Sequence, residues 1–272
     1  MSGQARPTLV SASPVYGGAV PLDDPAETYH EASRLSPSVA AAQVPGLRLL
    51  LAGDPVLLAS VERAGRRHPH RPGVDLGRPR LPRARLRRAI RARRSALPER
   101  RDSLPLARLS ALLACAYGLR DDSGGLRRHV PSGGALYPLE LYPLVLDAAG
   151  VDAGLYHYDP YAHRLERLDE GAGEGVLAEV LIDPPLASRA AVAVLVTGVF
   201  WRTRFKYGQR GYRFALLEAG HVAQTLLLAA AGLGVPGLPV GGFYDRRADE
   251  LLGIDGVNES TLYVLLLGGA RS

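Results

Sequence analysis

Several apolar segments of strand length punctuate the chain. Residues 190–199 form a continuous apolar run, which predicts a strand buried on both faces. Residues 139–147 and 261–267 predict two further strands, and residues 156–168 predict a hairpin that turns at Asp159-Pro160. The pattern therefore indicates a sheet with a fully covered centre.

Helical spacing of apolar residues marks other parts of the chain. It predicts a helix over residues 106–117, with Ser103 as its N-cap, Pro105 in the first turn and Gly118 after its end. Further helices are predicted over residues 25–34, 83–94, 171–182, 212–233 and 246–252. Because strands and helices mix without strict βαβ alternation, the fold class is predicted to be α+β.

The helix at residues 212–233 is the longest, and it is too apolar all round for an ordinary surface helix. It is expected in the middle of the core or at a subunit interface. Glu218, His221 and Gln224 recur every three residues along it, either as hydrogen-bonded core residues or as part of a site. The glycines at 232, 234 and 237 match the dinucleotide fingerprint, but they follow a helix rather than a strand, so this motif is rejected.

Composition limits the class of protein. The 272 residues are 47% hydrophobic, and no apolar run reaches the ~20 residues that a membrane span requires. Without a signal-peptide pattern, and with the single Cys115 in an apolar stretch, the chain is expected in a reducing cytoplasm with no disulfide.

The positive charge is concentrated in one region. Fifteen arginines and two acidic residues between Arg63 and Arg101 give a local balance of +13, within an overall charge of +6. The region has no interleaved aromatic residues and no nucleic-acid-binding motif, so solvated arginine on a linker and a first helix is favoured over a nucleic-acid site. Residues 1–80 are accordingly predicted to be an arm and an Arg/Pro-rich linker, and residues 81–272 the compact domain.

Lys206 is the only lysine among 33 basic residues, and Tyr207 follows it. Unlike arginine, a desolvated lysine can lose its proton and then accept one, and an ammonium ion beside a phenol favours the phenolate. The two residues are a candidate acid/base pair, although Lys206 could also be an exposed lysine without a role. Since neighbours in a regular helix do not face each other, a loop or helix end is expected here.

No metal site is predicted. The chain has no HExxH motif and no cysteine pair, and His157 and His163 flank the hairpin turn, where they are expected to be exposed. Ser132 stands in PSGG rather than in a nucleophile elbow, so a serine hydrolase is unsupported.

Four further segments suit an anionic, planar ligand. Arg93, Arg94 and Ser95 suit a phosphate, as does a terminal Arg271. The glycine pairs Gly133-Gly134 and Gly241-Gly242 allow backbone N–H groups to approach a ring closely, although either pair alone could be an ordinary turn.

In this order, these segments resemble the SagB-type dehydrogenases, the azoline-oxidase branch of the nitroreductase-like flavoproteins. The resemblance covers residues 81–271, with a further match in the arm at YHEASRL (29–35). Its most specific parts are PSGGALYPLELY (131–142), GLYHYDP (154–160), Lys206-Tyr207, and EAGHVAQ (218–224).

The resemblance implies a nitroreductase-like α+β homodimer with FMN between the subunits. It assigns the FMN phosphate and ribityl chain to Arg93, Arg94 and Ser95, assisted by Arg271. It assigns the ring to Pro131, Ser132, Gly133, Gly134, Ala135, Gly241 and Gly242, and catalysis to Lys206 and Tyr207. Many members have a basic residue where this chain has Leu97, so Arg100 or Arg101 is expected to substitute.

The activity implied by the resemblance is oxidation of thiazoline or oxazoline rings, in a ribosomally made or carrier-bound peptide, to azoles. A cyclodehydratase complex is an expected partner. Two alternatives stay open, an NAD(P)H-dependent nitroreductase acting on small molecules and a non-catalytic subunit of a peptide-modifying complex.

Overall fold

The computed structural model describes residues 24–37, 53, 65–120 and 127–269. Predictions that fall elsewhere lie outside the described residues. The role predicted for Arg271 is one of these. The sequence also predicts a short strand or helix within residues 47–64 and a loop at residues 121–125, and these segments are in the same position.

The described chain is built on a seven-stranded sheet in the order β1-β6-β5-β3-β7-β9-β8, with antiparallel pairing throughout. A separate pair, β2 with β4, is parallel. The strands are β1 (Gly73–Asp75), β2 (Leu104–Pro105), β3 (Leu139–Val145), β4 (Ala148–Ala149), β5 (Gly154–Asp159), β6 (Arg164–Asp169), β7 (Val192–Val199), β8 (Gly237–Val240) and β9 (Glu259–Leu267). The predicted central strand is β7, the predicted hairpin is β5–β6, and both predictions are confirmed.

Helices cover both faces of this sheet. They are α1 (Pro25–Ala32), α2 (Leu86–Ala92), α3 (Leu106–Tyr117), α4 (Glu174–Val180), α5 (Trp201–Tyr207), α6 (Gln209–Leu233) and α7 (Asp245–Leu252), with 3-10 turns at Gly133–Ala135 and Pro184–Arg189. Because side chains alternate along a strand, Val194 of β7 packs in one core with α3 and α6, while Leu195 packs in a second core with α4 and α7. The α+β prediction is confirmed.

Helix α6 passes along the first core. Val222 and Leu226 are fully buried, whereas Leu216 and Leu217 are 41% and 55% exposed. By length and hydropathy alone α6 could cross a membrane, but half of its most apolar window is buried inside the protein, as in an ordinary core helix. The expected core position is confirmed for one face, and the other face is open, with Leu216 and Leu217 exposed alongside His221 and Gln224.

Three local predictions are wrong. Residues 73–75, predicted as linker, pair with β6 as an edge strand, and Leu76 reaches the core. Ser103 is not the N-cap of α3, because the chain first pairs with Ala148 at Leu104 and the helix then starts after Pro105. Both errors arise from strands too short to leave a periodic signal, which depend on partners distant in sequence. The third concerns the two histidines that were expected to be exposed: His157 is fully buried, and His163 is half-buried with hydrogen bonds to Ser110 and Tyr158.

Candidate active site

Lys206 and Tyr207 form the last two residues of α5. The helix ends there because Gly208 adopts a positive φ of 55°, and its N–H closes the last turn on the carbonyl of Arg204 at 2.7 Å. Helix α6 begins at once and packs closely on α5, since a Cβ on Gly211 would lie 2.6 Å from the backbone of Thr203. The expected helix end is confirmed, and it directs two adjacent side chains toward one place.

That place is the turn Gly133–Ala135. A Cβ on Gly134 would lie 2.6 Å from the Tyr207 hydroxyl and 2.8 Å from Lys206 Nζ, so both polar tips lie against this glycine. Lys206 Nζ is 5.3 Å from the centre of the Tyr207 ring. The structure therefore joins two predicted segments that lie about 70 residues apart in the sequence.

The backbone of this turn is strained. Gly134 has a φ of 65°, and Ala135 and Tyr137 also have positive φ values, of 57° and 44°. Such values cost energy in residues other than glycine and persist only where surrounding contacts impose them. Here the Tyr137 N–H donates to Ser132 Oγ at 2.8 Å, and the Tyr137 hydroxyl accepts from the Arg128 N–H at 3.0 Å. Strain of this kind is often concentrated at functional sites.

Glu218 of α6 hydrogen-bonds the turn Gly133–Ala135 and the serine before it. Its Oε1 accepts the Gly133 N–H at 2.9 Å, and its carboxylate also hydrogen-bonds Ser132. Burial raises the pKa of Glu218 to about 7, although both hydrogen bonds and the charge of Arg128 oppose the shift. The polar positions that share its helix, His221 and Gln224, are exposed, so only Glu218 reaches the site.

Aromatic packing against α6 holds Tyr207 and the turn Gly133–Ala135 in place. The Tyr207 ring meets Phe214 of α6 edge-on, with 4.9 Å between ring centres. A Cβ on Gly133 would lie 3.1 Å from the same Phe214 ring, so a larger residue than glycine would push the turn away. Glycine is thus favoured at both positions of the pair by the close approach of these side chains.

The predicted phosphate-binding residues form a second group. Ser95, three residues after the end of α2, bridges to Gly237 at the start of β8, and Arg93 Nη1 lies 3.5 Å from Ser95 Oγ. A cleft of about 330 Å³ opens beside Arg93 and Arg94, and Leu227 and Ala231 of α6 form part of its wall. Arg93 is half-buried, while Arg94 and Ser95 are exposed.

The structure also bears on the missing basic residue. Leu97 is 8% exposed and packs in the second core, so a charge at this position would be buried. The side chain of Arg101 is engaged elsewhere, with Nε 2.6 Å from the Ala190 carbonyl and Nη2 2.6 Å from Glu174. Of the two expected substitutes, Arg100 is the exposed one.

Gly241 and Gly242 follow the other end of β8. Both are exposed, no atom lies within 4 Å of a Cβ built on Gly241, and the Gly242 carbonyl accepts the Ile182 N–H at 3.1 Å. Strand β8 thus carries Ser95 at its start and this glycine pair after its end, roughly 13 Å away at ~3.3 Å per residue. A cationic end and an open backbone end fit a ligand with an anionic tail and a flat head.

A buried polar cluster lies behind α5. Potential metal-ligand atoms of His68, His157 and Glu166 lie within 4.8 Å of one another. However, His157 Nδ1 is 3.0 Å from Glu166, and its Nε2 is 2.9 Å from Glu140. Burial disfavours the charged ring, but these two hydrogen bonds outweigh it and raise the pKa of His157 to about 9. A protonated histidine that donates to two carboxylates accounts for the cluster without an ion.

Sequence reasoning missed this cluster. Its members are Glu140 in LELYPLV, His157 in GLYHYD and Glu166 in RLERLD. Glu140 is the only charged residue of an otherwise apolar strand, whereas the other two segments contain further charged residues. The three stand out together only because their strands are neighbours in the sheet.

Comparison with known proteins identifies the fold. The model of the nitroreductase family matches residues 90–269. The chain belongs to the nitroreductase family. Its class is therefore a flavin-dependent oxidoreductase of nitroreductase type.

Individual relatives differ in description. A protein of Methanocaldococcus jannaschii described as a nitroreductase is 37% identical over 182 residues, which are 66% of this chain and 90% of that protein. The microcin B17-processing protein McbC of Escherichia coli is 30% identical over 152 residues, which are 54% of this chain and 56% of McbC. The match therefore spans little more than half of McbC.

A solved structure extends the similarity. The E. coli microcin synthetase McbBCD complex with truncated pro-MccB17 bound contains a chain that aligns with a TM-score of 0.60 at 24% identity. The alignment covers 88% of this chain and 99% of that chain, and it establishes a common fold.

Proposed function

We propose that this protein is a SagB-type, FMN-dependent dehydrogenase that oxidises thiazoline or oxazoline rings in a peptide to thiazoles or oxazoles. The observation that carries the proposal is the convergence of Lys206 Nζ and the Tyr207 hydroxyl on Gly134. A proton-accepting pair beside a ring-binding turn is what the removal of a ring proton requires. The similarity to McbC supports a peptide substrate.

The cofactor is assigned to the two groups of residues described above. Arg93, Arg94 and Ser95 supply cations and a hydroxyl for the phosphate of FMN. The ring is assigned to residues 131–135 and to Gly241-Gly242. No atom lies within 4 Å of a Cβ built on Gly241, so its backbone is open to a flat ring, and Gly134 brings the turn against Lys206 and Tyr207. Bound there, FMN supplies the acceptor for the hydride that leaves the azoline ring.

Side chains of this protein accept the proton that the azoline ring loses. Oxidation of an azoline to an azole removes one hydride and one proton. Lys206 in its neutral form, or the Tyr207 phenolate, accepts the proton, and Glu218 holds the turn against which both side chains lie. Arginine cannot take the place of Lys206, since a guanidinium keeps its proton.

The test is single-turnover reduction of bound FMN by a thiazoline- or oxazoline-containing peptide, followed by the flavin absorbance. Lys206→Arg and Tyr207→Phe are each expected to slow reduction by about 10²- to 10⁴-fold, or ~3–5 kcal/mol of barrier, with bound FMN unchanged. The double variant should be little worse than either single variant, because the pair acts as a unit. Arg204→Lys, the reverse exchange at an exposed site of α5, is the matched control.

Other outcomes point to the alternatives. Fast FMN reduction by NAD(P)H, with turnover of nitroaromatic compounds and none with azoline peptides, identifies a small-molecule nitroreductase. Protein that stays colourless after incubation with FMN identifies a non-catalytic subunit. A wild-type rate in Lys206→Arg removes Lys206 from the reaction.

The setting proposed for this activity is a cytoplasmic homodimer that acts beside a cyclodehydratase, the enzyme class that forms azolines. The similarity to a chain of the McbBCD complex, a microcin synthetase with a truncated pro-peptide bound, supports such an assembly. Co-purification of the protein with a cyclodehydratase encoded nearby, and its loss in high salt, is the corresponding measurement.

A further inference from the structure

A buried ion pair lies one helical turn before Lys206. Arg202 of α5 is 7% exposed, and its Nη2 is 2.6 Å from Oε1 of Glu140, which is 1% exposed. An isolated charge at such depth would cost several kcal/mol, so each partner depends on the other. The pair connects the helix that carries Lys206 and Tyr207 to β3, at the centre of the sheet.

The pair continues into the His157 cluster. The second carboxylate oxygen of Glu140 bonds His157 Nε2 at 2.9 Å, and His157 Nδ1 bonds Glu166 at 3.0 Å. A continuous series of side-chain hydrogen bonds therefore connects α5 with β3, β5 and β6. Arg202 and Glu140 both stay charged. Burial disfavours each charge, but the attraction between the two side chains outweighs it, so the pKa of Arg202 is raised and the pKa of Glu140 is lowered.

The segment before β1 covers this network. The Arg66 N–H donates to Glu140 Oε1 at 2.7 Å, and the His68 N–H donates to Glu166 Oε2 at 2.9 Å. The Arg66 side chain pairs with Glu259 of β9, which also accepts from Thr197 at 2.6 Å. Three carboxylates, Glu140, Glu166 and Glu259, thus meet three cations, Arg202, Arg66 and protonated His157.

We propose that Arg202 is a positioning residue, which fixes α5 so that Lys206 and Tyr207 lie against Gly134. The inference rests on the proposed function for its kinetic consequence. A buried ion pair adds little net stability compared with apolar packing, but its hydrogen-bond geometry tolerates little displacement. Helix α5 has only seven residues, with Arg202 and Thr203 as its buried members. Thr203 connects it to α6 through a hydrogen bond to the Gly211 carbonyl, whereas the Arg202 pair connects it to β3, so loss of the pair removes a side-chain tie between α5 and the sheet. A displacement of ~1 Å at a reacting group can cost about 10²-fold in rate.

Because Lys206 is the only lysine, its position can be followed without activity. Protein grown with 13C-labelled lysine gives the resonances of one side chain, apart from natural-abundance background. In Arg202→Gln, we expect the Lys206 13Cε–1Hε signal to shift or broaden and flavin reduction by the azoline peptide to fall about 10²-fold. Affinity for FMN should stay within about threefold, and Arg202→Lys should recover part of the rate.

Two further variants separate positioning from stability. Arg167→Gln is the control, because Arg167 is a partly buried arginine with ion pairs on the opposite face of β6 from Glu166. It should leave the Lys206 signal and the reduction rate unchanged. If Arg202→Gln does not fold, the double variant Arg202→Met/Glu140→Gln removes both charges together, and such exchanges of a buried ion pair are often tolerated.

The outcomes are distinct. A folded variant without the Arg202–Glu140 pair that keeps both the wild-type Lys206 signal and the wild-type reduction rate overturns the proposal. A displaced Lys206 signal in a protein whose wild-type form does not oxidise azolines supports the positioning role and refutes the proposed function. If the wild-type protein oxidises azolines but the Lys206 signal is unchanged in the variants, the proposed function is supported and the positioning role is refuted.

Discussion

Replacing Glu218 by glutamine should stabilise the protein at high pH and not at low pH. Glu218 is 4% exposed, and burial raises its pKa from 4.5 to about 7. Between these values the unfolded chain has lost the Glu218 proton while the folded protein still holds it. The folded state then binds more protons, so the free energy of unfolding falls as the pH rises.

The magnitude follows from the two pKa values. A difference of about 2.5 pKa units, at about 1.4 kcal/mol per unit, gives ~3 kcal/mol, all of it lost by the time the pH is above 7. Glutamine has no charge to bury, and its amide oxygen can still accept the Gly133 N–H. Any cost of the new amide N–H₂ group is the same at both pH values. The stability difference between Glu218→Gln and wild type should therefore grow by up to ~3 kcal/mol between pH 4.5 and pH 8.

The assay is urea unfolding of both proteins at pH 5 and pH 8, at equal FMN concentration. Glu250→Gln, at an exposed position of α7, supplies the baseline for a surface exchange. A stability difference between Glu218→Gln and wild type that is equal at the two pH values, or larger at pH 5, would refute the reasoning. It would mean that the hydrogen bonds from Gly133 and Ser132, rather than burial, dominate the ionisation of Glu218.

Other predictions concern the turn and the assembly. Gly134→Ala should cost ~1–2 kcal/mol of stability for its positive φ, and should also slow flavin reduction because its Cβ displaces Lys206 and Tyr207. Gly253→Ala, with a φ of 64° and no atom within 4 Å, should cost the same stability and leave the rate unchanged. Light scattering at micromolar concentration should give the mass of a dimer, since Leu216 and Leu217 leave an apolar surface on α6. A monomeric mass with flavin bound counts against that assembly.

Local patterns were sufficient for the longer elements. Strand β7 and helix α3 carry their periodicity within a dozen residues, and α6 ends at Gly234, whose φ of 70° is the left-handed conformation that glycine favours. Edge strand β1 could not be predicted in this way, because its three residues are defined only by pairing with β6. The prediction that His157 is exposed was wrong for a related reason, because its burial depends on Glu140 and Glu166 of the adjacent strands.

The site was predicted in pieces. Lys206 stood out by composition, and the glycine pairs stood out by their permissive backbone, but nothing in the local sequence indicates that Gly134 and Lys206 touch. Their assignment to one site came from the family resemblance. Arg202 gave no signal at all, because it is one of many arginines in the chain and only its burial against Glu140 distinguishes it.

The two glycine pairs lie beside different core layers of the fold. One ligand that contacts both pairs could therefore take them from two different chains of a dimer. Gly133 contacts Phe214 and Glu218 of α6 in the first core layer, whereas Gly242 bonds Ile182 beside α4 in the second. If one flavin uses Arg93 of one chain and Lys206 of its partner, then Lys206→Arg and Arg93→Gln damage different halves of each site. Mixing the two variants after unfolding and reassembly should then restore about a quarter of the wild-type rate, because half of the dimers are mixed and each mixed dimer has one intact site. If both residues serve the same flavin from the same chain, every site keeps one damaged residue and mixing restores nothing.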